Sequence, residues 1–167
     1  MFVCETERLQ IRKFTNEDIV FIIKLLNEPS FIENIADKGV RTSDDALKYL
    51  QDGPISSYQK FGFGLSMVEL KDSKMPIGMC GLIKRDELDD VDIGYALLTE
   101  YAGKAYAEEA AIAVLKNGHE VHGLKRIIAV TSPTNERSIG LLEKLGFEYE
   151  GMAELYGMDN KLFAIEF

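Results

Sequence analysis

The chain has 167 residues, with 19 Lys and Arg against 28 Asp and Glu for a net charge of −9, and it is 46% apolar and 28% charged. That balance suits one globular domain with room for a core and excludes disordered and fibrous classes. No apolar run reaches the roughly 18 residues of a membrane span, and the acidic balance argues against binding nucleic-acid phosphates, which needs clustered Lys and Arg.

A single domain over 1–167 is therefore expected. The start, Met1-Phe2-Val3-Cys4-Glu5, lacks the basic-then-apolar pattern of a signal peptide, so a cytoplasmic location is expected. Cys4 and Cys80 have no metal-ligand spacing and read as free thiols, Cys80 as a buried one.

In chain order, Arg8 to Phe14 alternates apolar and polar, the period of a half-buried strand. Thr15 is a helix N-cap, with Asp18 three residues on as the capping-box acid, and Ile19, Ile22, Ile23 and Leu26 follow at helical spacing. Ser43 to Leu50 is a second helix, closed by Gly53-Pro54. Phe61 to Leu70 and Pro76 to Lys84 are strands joined by the polar loop Lys71-Asp72-Ser73-Lys74, and a charged turn at Asp86 to Asp90 leads into a strand from Val91 to Leu98.

A helix from about Lys104 to Val121 ends near Gly123, followed by a strand at Arg126 to Thr131. Asn135 to Leu145 is a helix stopped by Gly146, and Phe147 to Leu155 and Lys161 to Phe167 are closing strands. The order β-α-α-β-β-β-α-β-α-β-β is that of a mixed α/β (α+β) fold around one sheet.

The densest signal is Asp92-Ile93-Gly94-Tyr95-Ala96-Leu97-Leu98 running through Thr99 to Gly103 into Lys104-Ala105-Tyr106-Ala107-Glu108-Glu109-Ala110. A strand that turns at a glycine into a helix start presents unpartnered amides at the positive end of the helix dipole, a place for a phosphate. The residues after Gly103 match neither a P-loop nor a dinucleotide fingerprint.

The run Gly103 to Ala110 resembles the Gly-Lys-Gly-Tyr-Ala-Thr-Glu-Ala stretch of GNAT-superfamily N-acetyltransferases, in particular the branch of ribosomal-protein N-terminal alanine and serine acetyltransferases. Asn135-Glu136-Arg137-Ser138, with Glu143-Lys144-Leu145-Gly146-Phe147, is similar to that branch's Asn-x-x-Ser helix and its ending. Thr6-Glu7-Arg8-Leu9, with Arg12, resembles its opening. The likeness spans about residues 5 to 165.

The resemblance implies an acyl-CoA N-acyltransferase fold with a mostly antiparallel sheet splayed between the fourth and fifth strands. It implies acetyl-coenzyme A as co-substrate, with no metal. Pantetheine would pair with the open strand edge at Ile93, Tyr95 and Leu97, and the pyrophosphate would rest on the amides of Ala102, Gly103, Lys104, Ala105, Tyr106 and Ala107. Asn135 would touch the coenzyme, and Ser138 would stand near the thioester sulfur, because the position where many members carry a proton-donating Tyr is Leu142 here. Glu69 and Asp92 are the candidate carboxylates for a general base, Asp92 standing where a family Glu is common. Ala105 replaces the family's second glycine, which costs nothing if the residue is helical and weakens the phosphate grip if it needs φ > 0.

Each of these positions has a plainer alternative. Asn135 is a good N-cap, Glu109 suits the dipole of a first helical turn, and Ala107, Ala110, Ala111, Val114 and Leu115 have to pack a helix in any case. His119 and His122 lack a third ligand. The expected partners are acetyl-coenzyme A and an amine, a protein N-terminus or a small molecule, with the chain a monomer or homodimer. Neither nucleic acid nor membrane is expected. The expected reaction is direct attack of the amine on the thioester. The rivals are a non-catalytic acyl-coenzyme A sensor or interaction module on the same fold, and a nucleotide-binding α/β protein.

Overall fold

The computed structural model describes residues 1–167 and contains one eight-stranded sheet. Its strands are β1 (Phe2–Glu5), β2 (Leu9–Lys13), β3 (Leu65–Leu70), β4 (Pro76–Ile83), β5 (Asp92–Leu97), β6 (Arg126–Thr131), β7 (Glu148–Leu155) and β8 (Met158–Glu166). They lie in the order β1-β2-β3-β4-β5-β6-β8-β7, antiparallel throughout except between β5 and β6. The helices are α1 (Ile19–Leu26), α2 (Pro29–Asn34), α3 (Ser43–Leu50), α4 (Ser56–Phe61), α5 (Tyr106–Glu120) and α6 (Glu136–Lys144). No helix is long and apolar enough to cross a membrane.

Both faces of the central sheet are covered, which is why β3 and β4 read as nearly continuous apolar runs rather than alternating ones. On one face Val68, Cys80, Leu82 and Ile93 pack with Ala111, Val114 and Leu115 of α5 and Leu142 of α6. On the other, Met67 and Met79 meet Ile22, Leu25 and Leu26 of α1 and Ala46 and Leu50 of α3. Fully burying side chains such as Ile22 or Leu25 contributes roughly 1.5–3 kcal/mol each. Small residues of α5 such as Ala111 and Gly118 let it pack against β4 and β5, and residues 98–105 connect the end of β5 to its start.

The structure adds a helix the sequence reading did not expect, α2, and departs from expectation in three further places. A short edge strand, β1, precedes the first expected one, so the splayed pair is β5 and β6. Gly53-Pro54 does not close the second helix. The chain widens into a π turn over Gln51–Ile55, with the Ser56 amide reaching the Gln51 carbonyl, and runs on into α4. The wide turn takes a proline that lacks an N–H and whose ring would otherwise crowd the carbonyl four residues back. Finally, Phe61 ends α4 instead of opening a strand. Gly62 at φ +82° caps the helix, its amide 3.0 Å from the Tyr58 carbonyl, and β3 begins only at Leu65.

The capping box at Thr15 and Asp18 forms as the sequence suggests. Asp18 also takes two bonds from Arg12, at 2.9 and 3.0 Å, and Arg12 reaches Glu69 at 3.1 Å. One guanidinium thus ties the first helical turn to β2 and β3.

Candidate active site

β5 and β6 touch at a single register pair, Asp92 with Ile128, where the Ile128 amide donates to the Val91 carbonyl at 2.9 Å. Beyond that vertex the strands part. On its other side β5 is fully paired with β4, and the Leu98 amide bonds the Ile77 carbonyl. The antiparallel alternation therefore turns the backbone groups of Asp92, Gly94 and Ala96 toward β4, and those of Ile93, Tyr95 and Leu97 toward the gap. Ile93 stands at the vertex, while Tyr95 and Leu97 present free edge groups to the opening.

The same strand then runs into the glycine turn. The Ala102 amide is committed to the Thr99 carbonyl at 3.1 Å, and the first helical bond of α5 is from Glu109 to the Ala105 carbonyl. Between them, the amides of Gly103, Lys104, Ala105, Tyr106, Ala107 and Glu108 donate to no protein acceptor. The donor set expected from Ala102 to Ala107 is thus shifted by one residue, because a one-turn 3₁₀ helix at Thr99–Tyr101 consumes the first amide.

Gly103 has φ +78° and Ala105 φ +64°, so the substituted glycine position is left-handed, not helical. For an L residue that conformation costs roughly 1–2 kcal/mol. The left-handed residues on either side of Lys104 lie within this run of free amides at the positive end of α5.

The two acids in this first turn do not oppose an anion there, since each is paired elsewhere. Glu108 lies 3.1 Å from Lys144 Nζ. Glu109 accepts from Thr6 Oγ1, from the Arg8 amide at 3.0 Å and from Arg8 Nε at 2.7 Å. Burial raises the Glu109 pKa, but these bonds outweigh it and hold the carboxyl below its usual range. Arg8 also reaches the Lys104 carbonyl at 3.1 Å and lies over the Tyr106 ring. The sequence explains Glu109 by the helix dipole; the structure shows it to be the clamp between the β1–β2 turn and the glycine turn. Lys104 itself is exposed, its ammonium over the Tyr101 ring.

Across the gap stands α6. Asn135 caps it, its side-chain oxygen accepting from the Ser138 amide at 3.2 Å. Ser138, half-buried, meets the Tyr95 hydroxyl at 2.8 Å. Burial pushes the Tyr95 phenol up to about 12, with the Ser138 bond acting against it. Leu142 is 1% exposed and belongs to the core, so α6 presents no other hydroxyl of this kind to the gap.

Asp92 lies at the vertex and is 2% exposed. Its carboxylate takes Arg85 Nε at 3.1 Å. Burial raises its pKa above the ordinary carboxylate range, with Arg85 opposing. Arg85 in turn bonds the Tyr156 hydroxyl at 3.2 Å, and that hydroxyl reaches Glu87 at 3.4 Å. Tyr156 sits at φ +53° in the tight turn between β7 and β8, so this turn folds back onto the β4–β5 loop.

Glu69 is elsewhere. It pairs with Pro76 at the end of β4 remote from Ile83, the partner of Asp92, and its carboxylate is held by Arg12. Neither Arg85 nor Tyr156 is singled out by sequence, because each lies in a loop with no periodicity. Their partners come from separate elements. His119 bonds the Leu124 carbonyl and stacks on Phe167, and His122 packs edge-on against Phe63, both away from the gap.

A family of known proteins has this architecture: residues 8–148 match the acetyltransferase (GNAT) domain. The chain belongs to the GNAT acetyltransferase family. It is 31% identical to the uncharacterized N-acetyltransferase YnaD of Bacillus subtilis (strain 168) over 146 residues, covering 87% of this chain and 82% of that protein. It is 33% identical over 110 residues to the [ribosomal protein uS5]-alanine N-acetyltransferase of Escherichia coli (strain K12), covering 62% of this chain and 55% of that one.

Its fold superposes on RimL, the ribosomal L7/L12 α-N-protein acetyltransferase solved in complex with coenzyme A. The TM-score is 0.83 at 15% identity, over 99% of this chain and 98% of that one. The GNAT membership agrees with the acetyltransferase expected from the two sequence motifs, and with acetyl-coenzyme A as its co-substrate.

Proposed function

We propose that this GNAT chain transfers an acetyl group from acetyl-coenzyme A to a primary amine by direct attack, with no covalent enzyme intermediate. One observation carries the proposal: the β5 edge opens at the Asp92–Ile128 pair, and the one-turn 3₁₀ helix at Thr99–Tyr101 carries the chain from that edge to the free amides of Gly103 to Glu108. An extended amide-bearing arm ending in a diphosphate matches that sequence of donors and acceptors. Pantetheine pairs along Tyr95 and Leu97, and the pyrophosphate sits on the amides of Gly103, Lys104 and Ala105. Tyr106 and Ala107 add the first helical amides, and Asn135 adds a contact from the opposite wall.

The acetyl group then lies near the vertex, with its carbonyl oxygen on the Tyr95 amide, the free edge donor nearest Asp92. Fixed backbone donors of this kind stabilise developing negative charge without reorganising. Asp92 is the base that takes the amine's proton, its raised pKa suiting that task. An α-amine, with a pKa near 8, needs less help than a lysine side chain near 10.4. Ser138 faces the departing thiolate. The pair of bound reactants gains mainly from proximity and orientation.

The acceptor enters on the Arg85, Tyr156 and Asp92 side. A protein N-terminus is favoured over a small amine by the likeness to the uS5-alanine acetyltransferase. Free Cys4 and Cys80 suit a reducing cytoplasm.

The test is coenzyme A release from acetyl-coenzyme A, measured with Ala- and Ser-starting peptides and a panel of small amines. Turnover on either class supports the proposal. Tight coenzyme binding with no turnover on any amine identifies a sensor instead, and stabilisation by ATP or NAD but not by coenzyme A overturns the coenzyme slot.

A further inference from the structure

Ser138 does not act alone in this structure, because Tyr95 shares its hydroxyl at 2.8 Å. The bond joins β5 to α6, the two walls of the gap, on the stretch where the strands have parted. Both side chains are half-buried, so water does not compete freely for them. Two hydroxyls in contact hold two protons: one occupies the bond between them and the other goes to a third partner. A phenol is the more acidic of the two and the better donor, while an alkyl hydroxyl oxygen is the better acceptor. That polarity leaves the serine proton aimed away from Tyr95 and into the gap.

We propose that Tyr95 is a positioning residue, whose phenol O–H donates to Ser138 Oγ and thereby fixes the serine O–H toward the departing coenzyme sulfur. The inference rests on the acetyltransferase function proposed above. In the step itself the amine nitrogen bonds the acetyl carbon, the C–S bond breaks with its electron pair on sulfur, and the amine's proton leaves to Asp92. The serine proton stays on oxygen and stabilises the thiolate. A coenzyme thiol, comparable to Cys at about 8.5, is a far stronger acid than either hydroxyl, so no full proton transfer from them is required. Tyr95 stays protonated across any working pH, and its contribution is independent of pH.

The experiment compares wild type, Tyr95→Phe, Ser138→Ala and the double variant, after melting curves establish that each folds. Tyr95→Phe is expected to lower kcat about tenfold, the effect of losing one oriented hydrogen bond. The KM for acetyl-coenzyme A and the shape of the pH profile are expected to stay as in wild type. The double variant is expected to be no slower than Ser138→Ala.

A second readout needs no amine: the ultraviolet thiolate absorbance of bound coenzyme A, titrated with pH, should show the thiol ionising at higher pH in Tyr95→Phe. A raised KM with unchanged kcat overturns the proposal, as does a double variant whose losses multiply or a bound thiol indifferent to Tyr95→Phe. If coenzyme A binds and Ser138→Ala is impaired while Tyr95→Phe is not, this inference alone falls. If calorimetry shows no coenzyme binding, the proposed function falls and takes this inference with it.

Discussion

Arg85 Nε lies 3.1 Å from the Asp92 carboxylate, and the two residues face each other across the β4–β5 loop at the closed end of the gap. Burial raises the Asp92 pKa and Arg85 lowers it. Removing the guanidinium while keeping its bulk, as in Arg85→Met, leaves only the upward cause, so the carboxyl titrates at higher pH. A base must be unprotonated to act. The acid limb of kcat/KM is therefore expected to move to higher pH in Arg85→Met, measured as thiol release across a pH series. Asp92→Asn should lose on the order of 10²–10⁴ in kcat, the usual contribution of a positioned base. An unmoved acid limb removes Asp92 from that role.

Ala105 holds φ +64° at the head of α5. Ala105→Gly relieves the steric cost of about 1–2 kcal/mol but adds backbone freedom to the unfolded chain. The expected net is a Tm equal to or slightly above wild type. Binding of coenzyme A, read by calorimetry, should be equal or tighter. Ala105→Val places a β-branched side chain in a left-handed conformation and should lower both Tm and coenzyme affinity.

Glu109 is the acceptor that joins Thr6 and Arg8 to α5. Glu109→Gln keeps the shape and loses the charge, and a Tm lower by roughly 3–6 °C is expected for a chain of this size. The folded pKa of Glu109 lies below its unfolded value, so its stabilisation is complete above the unfolded pKa and fades as pH falls through the folded one. The Tm gap between wild type and Glu109→Gln should accordingly be widest near neutrality and close in acid.

Asn135 has a cap to hold whether or not it touches the coenzyme. Asn135→Asp retains a capping oxygen at a helix N-terminus, while Asn135→Ala removes one and should cost about 1 kcal/mol. If Asn135 also donates to pantetheine, Asn135→Asp keeps the wild-type Tm yet raises the KM for acetyl-coenzyme A. Equal Tm and equal KM would leave the residue a cap only.

The fold, and the strand, turn and helix proposed to hold the coenzyme, were legible in the sequence because they depend on local order. The strand from Val91, the turn at Gly103 and the alanine-rich helix are consecutive, so periodicity and the glycine sufficed to place them. The Asn135 cap was readable for the same reason. The left-handed Ala105 was not, since alanine ordinarily signals helix and only the turn's closure forces it to φ > 0. Pro54 misled in the other direction, because a π turn absorbs what a regular helix cannot.

Arg85, Tyr156 and the Tyr95–Ser138 contact come from parts of the chain that meet only in three dimensions. The Glu109 clamp is long-range too: its partners lie more than a hundred residues upstream.

The β7–β8 turn reaches Arg85 through one side chain, Tyr156. The slot proposed for pantetheine and pyrophosphate offers main-chain groups, the free β5 edge and the amides of Gly103 to Glu108. The opposite mouth is made of side chains borrowed from two surface loops. With the acceptor entering as proposed, exchange of residues in the β7–β8 turn is expected to change the amine accepted while the donor stays the same. One scaffold can spread across many acceptors by altering its rim and leaving its spine alone.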